Sequence, residues 1–252
     1  MRRRPSSVPC VAEPLGGGVD AVVFDWGGTL TPWHTIDLRE QWLHYAEAAD
    51  PDHADELSAR LLAAEEEAWR AGRDHQRSAT LDELFRSVGV DPVGELHESA
   101  LAAYHSFWEP HTRTDPDVVP LFTALRERGI RIGILSNTLW TREHHERVFR
   151  RDGVLDLIDG AVYSSEVPWT KPHPEAFLAA MAAAGATDPA RVVFVGDRPF
   201  DDIHGAKAVG MRAVLVPHSA IPEVQKGHVE GNPDAVVDRL GDLLAIVDDW
   251  NG

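Results

Sequence analysis

Short apolar runs that end in a polar residue recur along this chain, and they restrict its fold more than any other feature. Val22-Val23-Phe24 leads to Asp25, Ile130 through Leu135 leads to Ser136, and Val192 through Val195 leads to Gly196-Asp197. Ala161-Val162-Tyr163-Ser164 and Ala213-Val214-Leu215-Val216 are two more. Unbroken runs of β-prone residues suit strands buried on both faces, as in a parallel sheet. Helical spacing fills the intervals. Val118, Val119, Phe122 and Leu125 share one buried face, with Asp115-Pro116 as N-cap and first turn and Gly129 as the stop. Another helix ends at Gly210, Ala235-Val236-Val237 is a candidate edge strand, and a terminal helix passes through Leu243 and Ile246. The fold class is α/β.

Between the first two strands the period changes. Thr31-Pro32-Trp33-His34 breaks the chain, and helical spacing then dominates. One helix lies near Leu38, Trp42 and Tyr45. A second carries Leu57, Leu61, Ala64/Glu65 and Ala68, with the acidic run Glu65-Glu66-Glu67 read as its solvated face. A third carries Leu81, Leu84, Phe85 and Val88 and closes at Gly89; a fourth carries Leu96, Leu101, Tyr104 and Trp108. The stretch from Gly72 to Ser78 reads as a polar, uncommitted loop. Residues 32–112 are therefore expected to form an all-helical module inserted into an α/β core of residues 19–31 and 113–252. Breaks at Thr31-Pro32 and between Pro110 and Pro116 would let that module move. Residues 1–18, closed by Gly16-Gly17-Gly18, read as a flexible tail.

With 24 basic against 41 acidic residues the net charge is −17, which argues against nucleic acid and anionic membrane surfaces as partners. The single cysteine, Cys10, excludes an internal disulfide framework and a Cys-rich zinc site. No apolar run approaches spanning length. Met1-Arg2-Arg3-Arg4 is followed by no hydrophobic region, so a cytoplasmic location is the default. The thirteen histidines show no metal-ligand spacing. Nothing in the sequence speaks to oligomeric state.

Ligands of parallel sheets sit beyond the carboxyl ends of the strands, and those ends carry the chemistry here. Asp25, before a tight Gly27-Gly28 turn, can serve as nucleophile, as metal ligand, or as both. Ser136-Asn137-Thr138 offers a hydroxyl and an amide to an anion, or else caps the helix through His144 and Arg150. Lysine is scarce, and Lys171 is held by Pro172 and Pro174 where a positive charge would neutralise phosphate or keep a carboxylate ionised. Asp197, Asp201 and Asp202 would repel one another unless a cation is near, and hard oxygen ligands of this kind suit Mg²⁺.

The order D-x-x-G-T-L, S-N-T, K-P-x-P, G-D-x-x-x-D-D, carried by residues 25–30, 136–138, 171–174 and 196–202, resembles the haloacid dehalogenase superfamily. The resemblance implies a Rossmann-like core of strand order 3-2-1-4-5 with a helical cap inserted after the first strand. It implies a Mg²⁺-dependent hydrolase, most simply a phosphatase of a small phosphorylated metabolite, passing through an aspartyl-phosphate. Carried over, Asp25 is the nucleophile, and Thr29, Ser136, Asn137 and Lys171 attend the phosphate. Asp25, Asp197, the carbonyl of Gly27, and Asp202 or Asp201 attend the metal. The chain departs from the family's phosphatases at Gly27, where they carry an acid/base Asp. That departure keeps open hydrolysis of a C–P or C–halogen bond, or a catalytically weak member that binds a phospho-ligand or a protein. His34 and His75 are the candidates to replace the missing acid.

Overall fold

The computed structural model describes residues 18–217 and 231–252. Cys10, the basic start and nearly all of the expected tail lie outside the described residues. Six parallel strands form one sheet: β1 Ala21–Phe24, β2 Arg131–Ser136, β3 Gly160–Tyr163, β4 Val192–Gly196, β5 Arg212–Leu215 and β6 Ala235–Val236, in the order β3-β2-β1-β4-β5-β6. The expected order holds, and the candidate edge strand extends it. Alternation along β1 sends Val22 and Phe24 to one face and Ala21 and Val23 to the other. Helices cover both faces, so no strand needs a polar side, which is why the runs are continuously apolar. On the first face lie α5 (Val118–Glu127) and a C-terminal helix (Leu243–Asn251); on the second lies α7 (Pro174–Ala183).

Between β1 and β2 come α1 (Leu38–Ala49), α2 (Ala54–His75), α3 (Leu81–Ser87) and α4 (Glu95–Trp108). Their apolar stripes meet around Trp42, Tyr45, Phe85 and Tyr104, all buried; Trp42 lies 4.8 Å from Tyr104 and Tyr45 lies 4.7 Å from Phe85, between ring centroids. Thr80 caps α3 with a reciprocal bond to Glu83, and Gly89 follows at φ 78°. The helical unit meets the sheet layer through a seam of aromatic rings and imidazoles. Trp140, in the loop after β2, donates Nε1–H to Tyr104 Oη at 3.0 Å. His144 and His145, on α6 (Arg142–Arg151), are buried, and His144 stacks on His105 of α4 with ring centroids 3.7 Å apart. Burial pushes His105 down to about 4, His145 to about 3 and His144 to about 2, so all three are neutral near pH 7. Among the described residues no helix is long and apolar enough to cross a membrane.

Several local expectations are corrected. The helix α5 begins at Val118, after Asp117, whose side chain caps nothing; the side-chain bond at this helix start is made by Asp115, which accepts from the Asp117 N–H at 2.8 Å. Val119 and Leu96 lie on helices whose stripes were read one residue too wide, and they are 40% and 62% exposed. Thr141, not the Ser136-Asn137-Thr138 run, caps α6. The stretch from Gly72 to Ser78 is not uncommitted: α2 continues through His75, and Arg77 pairs with Trp169.

The largest correction is Glu65. It was read as solvated with Glu66 and Glu67, yet it is 6% exposed. It lies one turn beyond Leu61, on the stripe itself. Its Oε2 accepts from Gln41 Nε2 and Trp42 Nε1, both at 2.7 Å, and its Oε1 from Trp69 Nε1 at 3.4 Å. Trp108 Nε1 donates to Gln41 Oε1 at 2.8 Å and extends the network to α4. Burial raises the Glu65 carboxyl above its usual range, against the opposing effect of those three donors.

Two outcomes follow for Glu65. Leucine there leaves the Gln41 and Trp42 donors unsatisfied and costs roughly 2–4 kcal/mol of stability. Because the folded pKa lies above the unfolded one, the native state keeps a proton that the unfolded chain has released. That stabilisation is complete below the ordinary Glu pKa and is lost as pH rises through the raised value. Glu65→Gln removes this dependence, so its melting temperature against pH is flatter than wild type across that window. Parallel curves for the two proteins would show that Glu65 does not titrate in this way.

Candidate active site

The turn after β1 is wound around one carbonyl. Trp26 O accepts from the N–H groups of Thr29, Leu30 and Thr31 at 3.3, 2.9 and 3.2 Å. Gly28 is at φ 88°, and a Cβ there would stand 2.8 Å from Asp197 Oδ2, so the position excludes any other residue twice over. The Trp26 ring is anchored edge-on against His145, 4.6 Å between centroids. Register puts Phe24 beside Ile134 and Val195, and the Asp25 N–H then donates to Val195 O at 2.9 Å. Asp25 is thereby delivered just past the strand ends, beside the chain leaving β2 and β4.

Lys171 completes the centre. Its Nζ donates to Asp25 Oδ1 at 2.6 Å and to Asp202 Oδ1 at 2.7 Å. Thr29 Oγ1 donates to Asp25 Oδ2 at 3.1 Å. Asp202 Oδ2 accepts from the Arg198 N–H at 2.8 Å. Lys171, Asp25, Asp197 and Asp202 are all buried. Burial alone would lower the Lys171 pKa, but Asp202 and Asp25 outweigh it and hold the ammonium above its ordinary value. Burial, then repulsion from Asp25 and Asp202, pushes the Asp197 carboxyl well up; burial also raises Asp202, with Lys171 opposing.

Asp197 is the third carboxylate of the centre. Among the described residues neither of its buried carboxylate oxygens has a hydrogen-bond partner. Arg198 Nε lies 3.4 Å from Oδ2, an ion-pair distance without hydrogen-bond geometry. Asp25, Asp197 and Asp202 each offer an oxygen within 4.8 Å of the others. Lys171 bonds two of the three carboxylates and Arg198 stands only at ion-pair distance from the third, so the cluster keeps an excess of negative charge that a divalent ion would offset. An all-oxygen set of so few protein groups fits Mg²⁺.

Between the two candidate acids after Asp197, Asp202 joins this cluster and Asp201 stays outside it, half-buried. A π-helical turn over Pro199–His204 makes the selection, since the Asp202 and Ile203 N–H groups both bond back to Arg198 O. Asp202 also requires Gly196, where a Cβ would stand 2.4 Å from its Cγ. Ser136 is buried at the end of β2. Asn137, expected at the phosphate, directs both side-chain polar atoms to the Lys171 backbone: Oδ1 accepts from its N–H at 2.8 Å and Nδ2 donates to its carbonyl at 3.1 Å. Gly27 is exposed, with no atom within 4 Å of where a Cβ would stand. His34 is exposed against His111, and His75 is exposed at the end of α2; among the described residues neither bonds to Asp25. Sequence reasoning missed Thr170 and Arg198. Arg198 stands inside the quoted G-D-R-P-F-D-D run, with its guanidinium 5.1 Å over the Trp33 ring; a cation amid acids was the available signal.

The chain is similar to several known proteins. A family model described as haloacid dehalogenase-like hydrolase matches residues 19–210. A glyceraldehyde 3-phosphate phosphatase of Methanopyrus kandleri is 30% identical over 235 residues, covering 91% of this chain and 97% of that protein. A crystal structure of an HAD phosphatase from Thermococcus onnurineus superimposes with a TM-score of 0.65 at 23% identity, covering 91% of this chain and 98% of that one. A 2-haloacid dehalogenase from Pseudomonas syringae does so with a TM-score of 0.59 at 25% identity, covering 92% and 99%.

The acid cluster yields a direct expectation. Saturating Mg²⁺ raises the melting temperature by roughly 5–10 °C at a hundredfold excess over its Kd. The shift is absent in Asp197→Ala and is reversed by a chelator. Thermal melts with and without Mg²⁺ measure it, and an undiminished shift in the variant would place the ion elsewhere.

Proposed function

We propose that this chain, which belongs to the haloacid dehalogenase-like hydrolases, is a Mg²⁺-dependent phosphatase of a small phosphorylated metabolite, acting through an aspartyl-phosphate on Asp25. The observation that carries this reading is the buried Asp25 carboxylate, bonded to Lys171 and sharing an oxygen cluster with Asp197 and Asp202. Asp25 attacks phosphorus, and the bond from phosphorus to the leaving oxygen breaks. Water then attacks the acyl phosphate, releasing phosphate and restoring the carboxylate. Lys171 and Thr29 hold Asp25 in one orientation, and Lys171 offsets charge gathering beside it. Ser136, at the end of β2, donates its hydroxyl to a phosphoryl oxygen. Held by Asp25, Asp197 and Asp202, Mg²⁺ would supply electrostatic stabilisation of the phosphoryl group.

Helices α1–α4 serve as the cap, keeping bulk water from the acyl phosphate. Trp33 enters the site from the linker that leads into them, and its ring would stand 3.2 Å from a Cβ at Gly28. The named activity of the Methanopyrus kandleri relative makes triose phosphates the first substrates to try. Gly27 favours a second reading. With no carboxylate at that position, a leaving group that needs no proton, such as the carboxylate of an acyl phosphate or a halide, departs more readily than an alkoxide.

Asp25→Asn removes turnover while the melting temperature stays near wild type, because the amide is close in shape and a far poorer nucleophile. Near wild-type turnover would rule out the aspartyl-phosphate. Gly27→Asp accelerates hydrolysis of an alkyl phosphate ester, by up to roughly 10²–10⁴-fold where proton transfer limits the rate. The open space at Gly27 admits the new side chain. Turnover of one alkyl and one aryl phosphate by both proteins tests this; an alkyl ester that is not accelerated means that proton transfer is met from another group.

A further inference from the structure

The end of α2 and the strap that precedes Lys171 form a two-stranded antiparallel joint. Arg77 faces Trp169 across it. The Ser78 N–H donates to Pro168 O at 3.3 Å, and the Thr170 N–H donates to Gln76 O at 3.2 Å. Thr170 is buried, and its Oγ1 donates to Gly72 O at 3.3 Å, on the carbonyl that also accepts the Gln76 N–H at 2.8 Å. Gln76 leaves α2 in the left-handed region at φ 52°, alone in this among the non-glycine described residues. The chain there is thus turned sharply out of the helix and laid along the strap.

The strap is gripped from its other side as well. Asn137 binds the Lys171 backbone at both N–H and carbonyl. Lys171 therefore stands between a hold from the helical unit and a hold from the end of β2, with its ammonium on Asp25 and Asp202. Pulling the helical unit off at this edge would break three hydrogen bonds and draw the strap with it. It would also disturb an ammonium that two buried carboxylates need, and such charges are costly to leave unpaired.

We infer that this joint stays closed throughout the reaction cycle, and that Thr170 is a positioning residue that sets Lys171 by fixing the strap to Gly72. The two linkers expected to act together as a hinge then have a pin beside them. The helical unit turns about the joint formed by residues 76–78 and 168–170 and does not lift away from it. The kinetic part of this inference rests on the phosphatase reading; the structural part does not.

Amide hydrogen exchange tests the joint without reference to activity. The Ser78 and Thr170 amides are expected to exchange within about tenfold of the β2 amides, with or without Mg²⁺ and inorganic phosphate. Exchange at the rate of open chain would overturn the inference. Arg77 and Trp169 form a non-hydrogen-bonded antiparallel pair, a geometry in which a disulfide closes. In Arg77→Cys/Trp169→Cys, the oxidised protein should match the turnover of its own reduced form within about twofold. Inactivation on oxidation that dithiothreitol reverses would show that the joint must open. Thr170→Val should lower kcat by roughly fivefold or more at unchanged KM, and Thr170→Ser should restore it. Full kcat in the valine variant, or equal loss in both, would remove the positioning role. A wild type without phosphatase activity would refute the functional reading alone, and the exchange rates would still decide the joint.

Discussion

One buried ammonium holds this site together. The Lys171 ammonium bonds two of the three carboxylates of the cluster at once. Removing charges from water is expensive unless partners are close and well aimed. The rest of the local architecture supplies that aim. The Trp26 carbonyl gathers the turn that presents Asp25, the π-helical turn rotates Asp202 inward, and Gly196 clears the space beneath it. Asn137 and Thr170 fix the strap on which the ammonium travels. Among the described residues no donor bonds the Asp197 oxygens, and these are the atoms that the proposed Mg²⁺ would meet.

The sheet was legible because its strands are buried on both faces and so announce themselves as apolar runs. Their terminal residues were legible for the same reason: a polar side chain after such a run has few places to go but the strand ends. What escaped was set by tertiary contact. Glu65 looks solvated beside Glu66 and Glu67, and only the approach of Trp42, Gln41 and Trp69 makes a buried carboxylate tolerable. Asp201 and Asp202 are indistinguishable in one dimension; an extra residue in a helical turn decides between them. An amide at a strand's carboxyl end suits an anion, yet the strap thirty-four positions later claims that of Asn137. Thr170 carried no signal at all, since its partner is a backbone carbonyl on α2.

The helical unit shows how an insertion can be a separate packing unit without being independent. Its helices gather around Trp42 and the Glu65 network, and their buried side chains run on into the apolar layer on one face of the sheet. Its boundary is shared, through Trp140 on Tyr104 and through imidazoles that burial keeps neutral. Uncharged rings can stack at 3.7 Å where two imidazolium ions could not, so the seam is built for the neutral form.

The position of β1 has a consequence for how such a molecule comes into being. The first strand in the chain is the central one: Ala21 pairs with Arg131 on one side and with Val192 on the other, and the Val19 N–H is bound by Asn251 Oδ1. Contacts so distant in sequence are made late, after the local ones. On a growing chain, α1 to α4 can collapse around their own aromatic centre while β1 still has no neighbour. Asp25 is synthesised early but meets Lys171, and through it Asp202, only when both have emerged and the sheet has closed around them. The order of the strands thus leaves Asp25 without its partners until the fold that positions it is complete.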